Sequence, residues 1–578
     1  MRENGARASL LQSTFHASPL ATAGRYLTII IFGLAAYANT FTASFNFDDL
    51  AVIFQGLAGA RLGNFFSPAF LKMSRPVGDF TFALNYRLHG ADVVGYHVVN
   101  LSIHLLAACL MSLLVTETLR TPWCVASAHS PEEREDMERQ GRIIAFFAAL
   151  IFVVHPVQTQ AVTYIVQRYA SLATLFYVGA VLLYARARRA QRTRHALRAG
   201  LLYLVALLAG GLAMKTKQIA YTLPFVILLY EFTFFTGSLR KRAGIVVSLV
   251  ALGALVTLGF FASHGFSGDI LDRLNALSKE SPLMPRLDYL FTQFRVIVTY
   301  LRLLVLPVDQ RLMYDYPVYH TFMTPPVVLS FLLILSLILL AFWLGRGARG
   351  IARRLAAFGI FWFFITLTVE SSIIPISDVI FEHRLYLPSV GACIAFTAGV
   401  MGAAPVLSKH SRMVLAMPVL LVMLAVVFAV ATFRRNVVWA SEVTLWEDTV
   451  AKAPNLSLPL TNLADIHLRR NEPREALAAL VKANARSPED VKTLLNIAIA
   501  LDRLGMYDGR FRYGRDMYDE RGNIKPRYLK EWFGLACNNL GLAQEVLGDH
   551  GAAIANFEKA LRINPNIAEA HFNLGLAL

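Results

Sequence analysis

The chain is short of charge. Of its 578 residues 16% are Asp, Glu, Lys or Arg, while 56% are hydrophobic and the mean hydropathy is +0.49. Soluble domains are usually near a quarter charged, so an ordinary soluble enzyme is a poor fit. Acidic residues are scarcest: 39 Asp and Glu stand against 55 Lys and Arg, a net charge of +16. Such a surplus can mark a nucleic-acid binder. Here most basic clusters flank apolar spans, which is the topology signal of membrane proteins, and no nucleic-acid partner is expected. Cysteine is rare. Cys109, Cys124, Cys393 and Cys537 show no pairs and no CxxC spacing, so neither a disulfide framework nor a zinc site is indicated. No Gly-rich phosphate loop of the P-loop or Rossmann type is visible. No carboxylate–histidine spacing supports a metal site.

What is abundant is apolar sequence in runs long enough to cross a hydrocarbon core of about 30 Å. The runs fall near 26–43, 97–116, 143–160, 165–184, 199–213, 219–236, 243–262, 324–344, 355–370, 389–404 and 413–432. The first follows a charged start (Arg2, Arg7) and lacks a small-residue cleavage site, so it reads as a retained helix. Three basic clusters fix the sides: Arg186 to Arg198, Arg240 to Arg242, and Arg346 to Arg354. All are cytoplasmic if the N-terminus is cytoplasmic and the helices alternate. The stretch 287–307 carries Asp288, Gln293, Arg295 and Arg302, and counting it as a span breaks the charge rule. It is therefore expected to be an interfacial or re-entrant helix. About eleven spans result, with polar loops 44–96, 155–164, 263–323 and 371–388 on the non-cytoplasmic face.

Beyond the spans the chain repeats itself. Asn462-Leu-Ala and Asn496-Ile-Ala are 34 residues apart, as are Asn539-Leu-Gly and Asn573-Leu-Gly. The middle step is 43, one period plus nine residues, with the extra residues assigned to 506–530. Ala476/Ala553 and Ala483/Ala560 keep the same register. A helix–turn–helix of this period, most clearly Ala553-Ile-Ala-Asn-Phe-Glu-Lys-Ala-Leu-Arg-Ile-Asn-Pro565, resembles tetratricopeptide repeats. Such arrays offer a concave surface to peptides or proteins. Leu578 falls inside the first helix of a further repeat, so a capping helix is expected in a longer chain, or another packing partner in its place. The expected fold class is all-α: a multi-pass membrane helical domain over 1–440, then a repeat α-solenoid over 441–578.

The polar outer loops carry the chemistry. Asp48 and Asp49 follow the first span. A carboxylate at a bilayer edge is a plausible general base, because partial desolvation and a like-charged neighbour raise its pKa. The bland reading is an aspartate pair that caps a loop. Further along come Ser74-Arg-Pro-Val-Gly-Asp, Gly95-Tyr-His-Val-Val-Asn-Leu-Ser-Ile-His104, His155-Pro-Val-Gln-Thr-Gln-Ala-Val and Phe381-Glu-His-Arg-Leu-Tyr-Leu-Pro-Ser389. With these segments and the repeats, the chain resembles the tetratricopeptide-containing transmembrane O-mannosyltransferases and their bacterial relatives, glycosyltransferases of the GT-C fold. The combination of Arg75-Pro, Tyr96-His-x-x-Asn, His155-Pro-x-x-Thr-x-Ala-Val and Arg384-x-Tyr-Leu-Pro-Ser is more specific than any one motif.

The resemblance implies a polyprenyl-phosphate-linked sugar donor, by family mannose, and an acceptor hydroxyl on protein or glycan. No cofactor is implied. The aspartate that activates the acceptor falls on Asp48 or Asp49, and the sequence does not choose. Arginine suits the donor's phosphate because its planar fork holds two oxygens. Arg384 and His383 lead as phosphate ligands, with Arg75, Arg168 and Lys217 behind; His97, His155, Glu382 and Tyr386 are further candidates. Each has an ordinary alternative: Arg75 and Arg168 as loop anchors, His97 and His104 as links between helices. One departure from the family pattern stands out. Where relatives often show Ser-Lys-Glu, this chain has Thr216-Lys217-Gln218, so the carboxylate beside the lysine is lost. The repeats would recruit acceptor protein. A non-catalytic membrane scaffold is the main alternative. A transporter is another, though neither mid-span ionisable groups nor repeats in the membrane part are evident. The expected home is a bacterial inner membrane with periplasmic repeats, or the endoplasmic reticulum membrane in a eukaryote.

Overall fold

The structure is a computed structural model that describes residues 18–57, 61–66, 73–193, 195–237, 242, 284–347, 350–376, 378–407, 411–488, 490–505 and 526–578. It is all-α, with no strand among the described residues. Two compact units form. One holds the chain up to Leu312 and Tyr316–Ser441; the other holds Met313–Asp315 and Glu442–Leu578.

Among the described residues, seven helices of the first unit are long and apolar enough to cross a membrane, or eight if one bent pair is a single span. This is a multi-pass membrane protein. Helix α1 (Pro19–Ala36) is capped by the Ser18 hydroxyl. Helices α2 (Pro76–His89) and α3 (Val93–Thr118) follow, then α4 (Pro131–Val154) and α5 (Arg168–Arg192). Next come α6 (Ala196–Met214), α7 (Leu223–Phe234) and α8 (Arg286–Val305). The unit closes with α9 (Pro325–Gly345), α10 (Ile351–Leu367), α11 (Tyr386–Leu407) and α12 (Ser411–Val438). The expected span at 243–262 lies outside the described residues. Those at 219–236 and 355–370 are helices, but shorter than a full crossing. The expected span at 143–160 bends by 53° between Val154 and Pro156. Helix α8 is not among the apolar candidates.

Burial sorts the helices into layers. The run Ile144–Val154 of α4 is apolar on every side and buried throughout, so α4 forms the centre. Of the apolar windows in α3, α5 and α11, 56%, 72% and 67% is buried, against 22%, 17%, 22% and 28% in α1, α6, α9 and α12. Helices α3 and α11 pack on α4, and α5 packs on α3 and α11; α1 and α12 also touch α4, but the second group keeps most of its apolar surface outward, as lipid-facing helices do. Helices α10 and α11 touch backbone to backbone. A Cβ on Gly359 would lie 2.3 Å from the Gly391 carbonyl oxygen, and one on Gly391 would lie 2.5 Å from that of Gly359. Small residues permit such close packing where no hydrophobic effect drives helices together.

The second unit starts with α13 (Glu442–Lys452) and then stacks helix pairs. Helices α14 (Ser457–Arg469) and α15 (Pro473–Arg486) make one pair. After α16 (Val491–Arg503), α17 (Pro526–Val546) and α18 (His550–Ile563) make another, and α19 (Ala568–Ala577) follows. Asn462, Asn496, Asn539 and Asn573 each sit on the first helix of a pair or on its counterpart, and Ala476, Ala483, Ala553 and Ala560 are all fully buried between helices. Most of the nine-residue insertion assigned to 506–530 lies outside the described residues.

Candidate active site

The chain leaving α1 is laced to the end of α12. Asn39 Nδ2 donates to the Phe433 carbonyl at 2.9 Å, the Ser44 amide to Ala440 at 3.3 Å, and Asn46 Nδ2 to Trp439 at 3.4 Å. Phe47 then adopts φ 50°, a left-handed turn uncommon for a bulky residue. Beyond this turn the two aspartates part. Asp49 points inward and is fully buried. Its Oδ1 accepts from the Val166 amide at 2.7 Å and its Oδ2 from the Asn46 amide at 2.9 Å. Burial pushes its carboxyl up to about 8, against the pull of those two amides and with a further push from Asp48. Asp48 is exposed. Its amide donates to the Tyr164 hydroxyl at 3.1 Å, and the Tyr164 ring stacks on Trp439. Loss of surrounding water raises its carboxyl above the ordinary range; the Tyr164 hydroxyl and Arg75 oppose the rise and Asp378 adds to it.

Arg75 stands just before Pro76, which opens α2. Its guanidinium lies 5.1 Å over the Tyr169 ring, and the Tyr169 hydroxyl donates to Asp79 at 2.5 Å. Gly78 makes room for this stack, since a Cβ there would sit 2.3 Å from the Tyr169 ring.

Lys217, just past α6, is 5% exposed and pairs with Glu370 at 3.1 Å; Glu370 itself is 8% exposed. Gln218 turns its amide to Ser74 instead. The carboxylate missing beside the lysine in sequence thus arrives from the loop after α10. Burial lowers the Lys217 pKa, and Glu370 raises it.

A 3-10 turn, Glu382–Leu385, carries His383 and Arg384. Glu382 fixes the turn by accepting from Gln310 Nε2 at 2.8 Å and the Arg311 amide at 2.7 Å. The His383 amide donates to Gln160 Oε1 at 2.6 Å, and its ring stacks on Phe381. Arg384 lies against Tyr289, Tyr300, Glu370 and Asp378. Around it several buried polar atoms have no hydrogen-bond partner among the described residues: Arg384 Nη1, His383 Nδ1, Ser371 Oγ and Glu370 Oε2. Buried polar groups are normally satisfied, so the free Arg384 Nη1 donor, with the Ser371 hydroxyl and the His383 ring beside it and Lys217 nearby, marks a place for an anionic ligand, while Glu370 Oε2 is an acceptor that would face away from it.

The structure thus joins Asp48, Arg75, Lys217, His383 and Arg384 into one electrostatically linked group. The other candidates lie apart, and except for His97 Nδ1 the polar atoms named here are occupied. Arg168 is fully buried and donates to Asn100 Oδ1 at 2.6 Å, Asn85 Oδ1 at 2.8 Å and the Tyr96 carbonyl at 3.2 Å. Asn100 in turn holds the Val162 and Ile165 carbonyls, so this network shapes the turn whose Val166 amide meets Asp49. His97 Nε2 reaches the Ala43 carbonyl at 2.9 Å. His155 Nε2 reaches Leu304, while its Nδ1 accepts from the Val157 amide. Tyr386 bonds His104 Nδ1 at 2.6 Å. Sequence reasoning missed Glu370, Ser371, Asp378, Tyr164, Tyr289 and Tyr300. The one signal was that polar letters interrupt the apolar run 287–307 and border the loop 371–388.

A family model described as TPR repeat matches residues 547–578. A protein O-mannosyl-transferase of Caenorhabditis elegans is 27% identical over 66% of this chain and 49% of its own. Protein O-mannosyl-transferase TMTC3 of Mus musculus is 23% identical over 95% of this chain and 61% of its own. The chain is similar in sequence to protein O-mannosyl-transferases over most of its length. The family resemblance carried by the motifs and the repeats is that of these relatives. Protein O-mannosyl-transferase Tmtc3 of Drosophila melanogaster reaches 31% identity, over 29% of this chain and 20% of its own. The chain spans about half to three-fifths of the first two relatives' lengths. No solved structure matches.

Proposed function

We propose that the chain is a membrane glycosyltransferase that moves a sugar, mannose by kinship, from a polyprenyl-phosphate donor to a Ser or Thr hydroxyl of a protein. The observation that carries this reading is an exposed carboxylate, Asp48, linked through Arg75 to a cluster of buried cationic side chains with unsatisfied polar atoms. In the proposed reaction Asp48 takes the acceptor's hydroxyl proton. The freed oxygen attacks the sugar's anomeric carbon, and the bond from that carbon to the phosphate oxygen breaks. The lipid phosphate keeps the electron pair, and Arg384 and Lys217 stabilise its growing charge. Asp49 holds the base loop in shape. Inversion at the sugar carbon is a family expectation. The repeat unit would recruit the acceptor protein, on the same non-cytoplasmic face as the site. The proposed setting is a bacterial inner membrane, or the endoplasmic reticulum membrane if the source is eukaryotic.

The test supplies polyprenyl-phosphate-linked sugars and a Ser/Thr-rich acceptor pool to membranes holding the protein, and reads transfer by mass spectrometry. Asp48→Asn is expected to lower transfer by about 10²–10⁴-fold, the usual weight of a general base, with protein level unchanged. Transfer equal to wild type would remove Asp48 from the mechanism. No transfer by wild type with any donor would favour a membrane-anchored scaffold.

A further inference from the structure

We propose that Glu370 is a positioning residue for the donor: it holds Lys217 as the ammonium that meets the phosphate beside Arg384. The inference rests on the glycosyltransferase reading for the ligand's identity, but on geometry for the role. Glu370 sits one turn past α10. Its amide donates to the Leu367 carbonyl at 3.2 Å, and its own carbonyl accepts from the Tyr289 hydroxyl at 2.9 Å. The backbone is therefore fixed, and the side chain is delivered to Lys217 from a set direction.

The charges facing Lys217 explain why it needs this partner. Arg75 comes from the start of α2, and His383 and Arg384 come from the turn before α11. Burial and both arginines oppose a charge on Lys217, and Glu370 is the group that favours it. A lysine in such surroundings sheds its proton far more readily than an arginine. Glu370 does not use itself up in the task. Its Oε1 faces Lys217, while Oε2 and the neighbouring Ser371 Oγ have no hydrogen-bond partner among the described residues. An ion pair with a purely structural role would be expected to have these atoms satisfied. Free atoms at the pair fit one that adjusts when an anion takes up the Lys217 ammonium. Gln218, next to the lysine, does not serve, because its amide is turned to Ser74.

The experiment uses the full chain in detergent and reads two quantities against pH: binding of sugar-free polyprenyl phosphate, and donor KM and kcat in transfer. For Glu370→Gln, polyprenyl phosphate should bind about tenfold more weakly at neutral pH, the equivalent of about 1.4 kcal/mol. Donor KM should rise in parallel, and kcat should fall with it, because Lys217 also meets the charge that grows on the leaving phosphate. The alkaline loss of binding should move to lower pH, because Lys217 then deprotonates sooner. Adding Lys217→Arg to Glu370→Gln should restore the alkaline limb, since arginine stays charged. Glu370→Asp should fall between wild type and Glu370→Gln, and carries the comparison if Glu370→Gln does not fold. Unchanged binding and pH profile in these variants would overturn the proposal. So would a double variant whose alkaline limb stays low, or a wild type that does not bind polyprenyl phosphate. Normal binding without sugar transfer would instead count against the glycosyltransferase reading and leave the Glu370 result to be read from binding alone.

Discussion

Two adjacent aspartates end up in opposite environments, and each makes its own prediction. Asp49 titrates near 8 when folded, whereas an unfolded aspartate titrates near 3.9. The folded state therefore binds this proton more tightly. Its contribution to stability is full below about pH 4 and is lost as pH rises through about 8. The melting temperature of the purified protein should fall over that window, and Asp49→Asn should flatten the fall. A fall of equal size in the variant would assign it to other groups. Asp48 reports through activity. It must be ionised to act as a base, and Arg75 helps to keep it so. Arg75→Gln should shift the acid limb of kcat/KM to higher pH, and an unmoved limb would uncouple the two residues. The sequence could not separate the aspartates. Which one faces inward depends on the φ of 50° at Phe47 and on an amide from Val166, far along the chain. Glu370 escaped sequence reading for a similar reason, since its partner Lys217 lies in a distant segment and no local spacing links them.

Among the elements, the helices were the most legible part. Apolar runs name most of them, and polar letters in α8 set it apart from the spans. Its inward face, with Tyr289, Gln293 and Tyr300, is the wall that holds the loop after α10. The break at His155 was not legible, because 143–160 reads as one continuous span. His155 accepts from the Val157 amide and caps the short turn that follows, so the chain changes direction there. The contact between α10 and α11 also needed three dimensions. With Gly359 and Gly391 pressed against each other's backbone, Gly359→Leu cannot be absorbed by a rotamer change. It should destabilise the protein by about 1–3 kcal/mol or more, seen as a lower melting temperature in detergent. Gly399→Leu, where a Cβ meets nothing within 4 Å, is the control and should cost far less.

For the whole molecule, the chain's order of parts was readable: apolar spans first, then a repeat with a 34-residue period. The sidedness of the loops still rests on the charge rule. Reporters fused after Lys279 and after Arg349 should fall on opposite sides of the membrane if α8 does not cross; both on one side would overturn the eleven-span layout. A separate consequence follows from the lacing of residues 39–46 to residues 433–440. The membrane unit fastens its beginning to its end, so the base loop is built partly from the last residues before the repeats. Evolution, or a protein engineer, can exchange the repeat arm only by cutting after Ser441. A join placed a few residues earlier would remove the Trp439 ring stacked on Tyr164, redirect the backbone that presents the carbonyls at 439 and 440, and let the loop holding Asp48 come loose. Donor chemistry would then be lost from a chimera in which Lys217, Glu370, His383 and Arg384 are all intact.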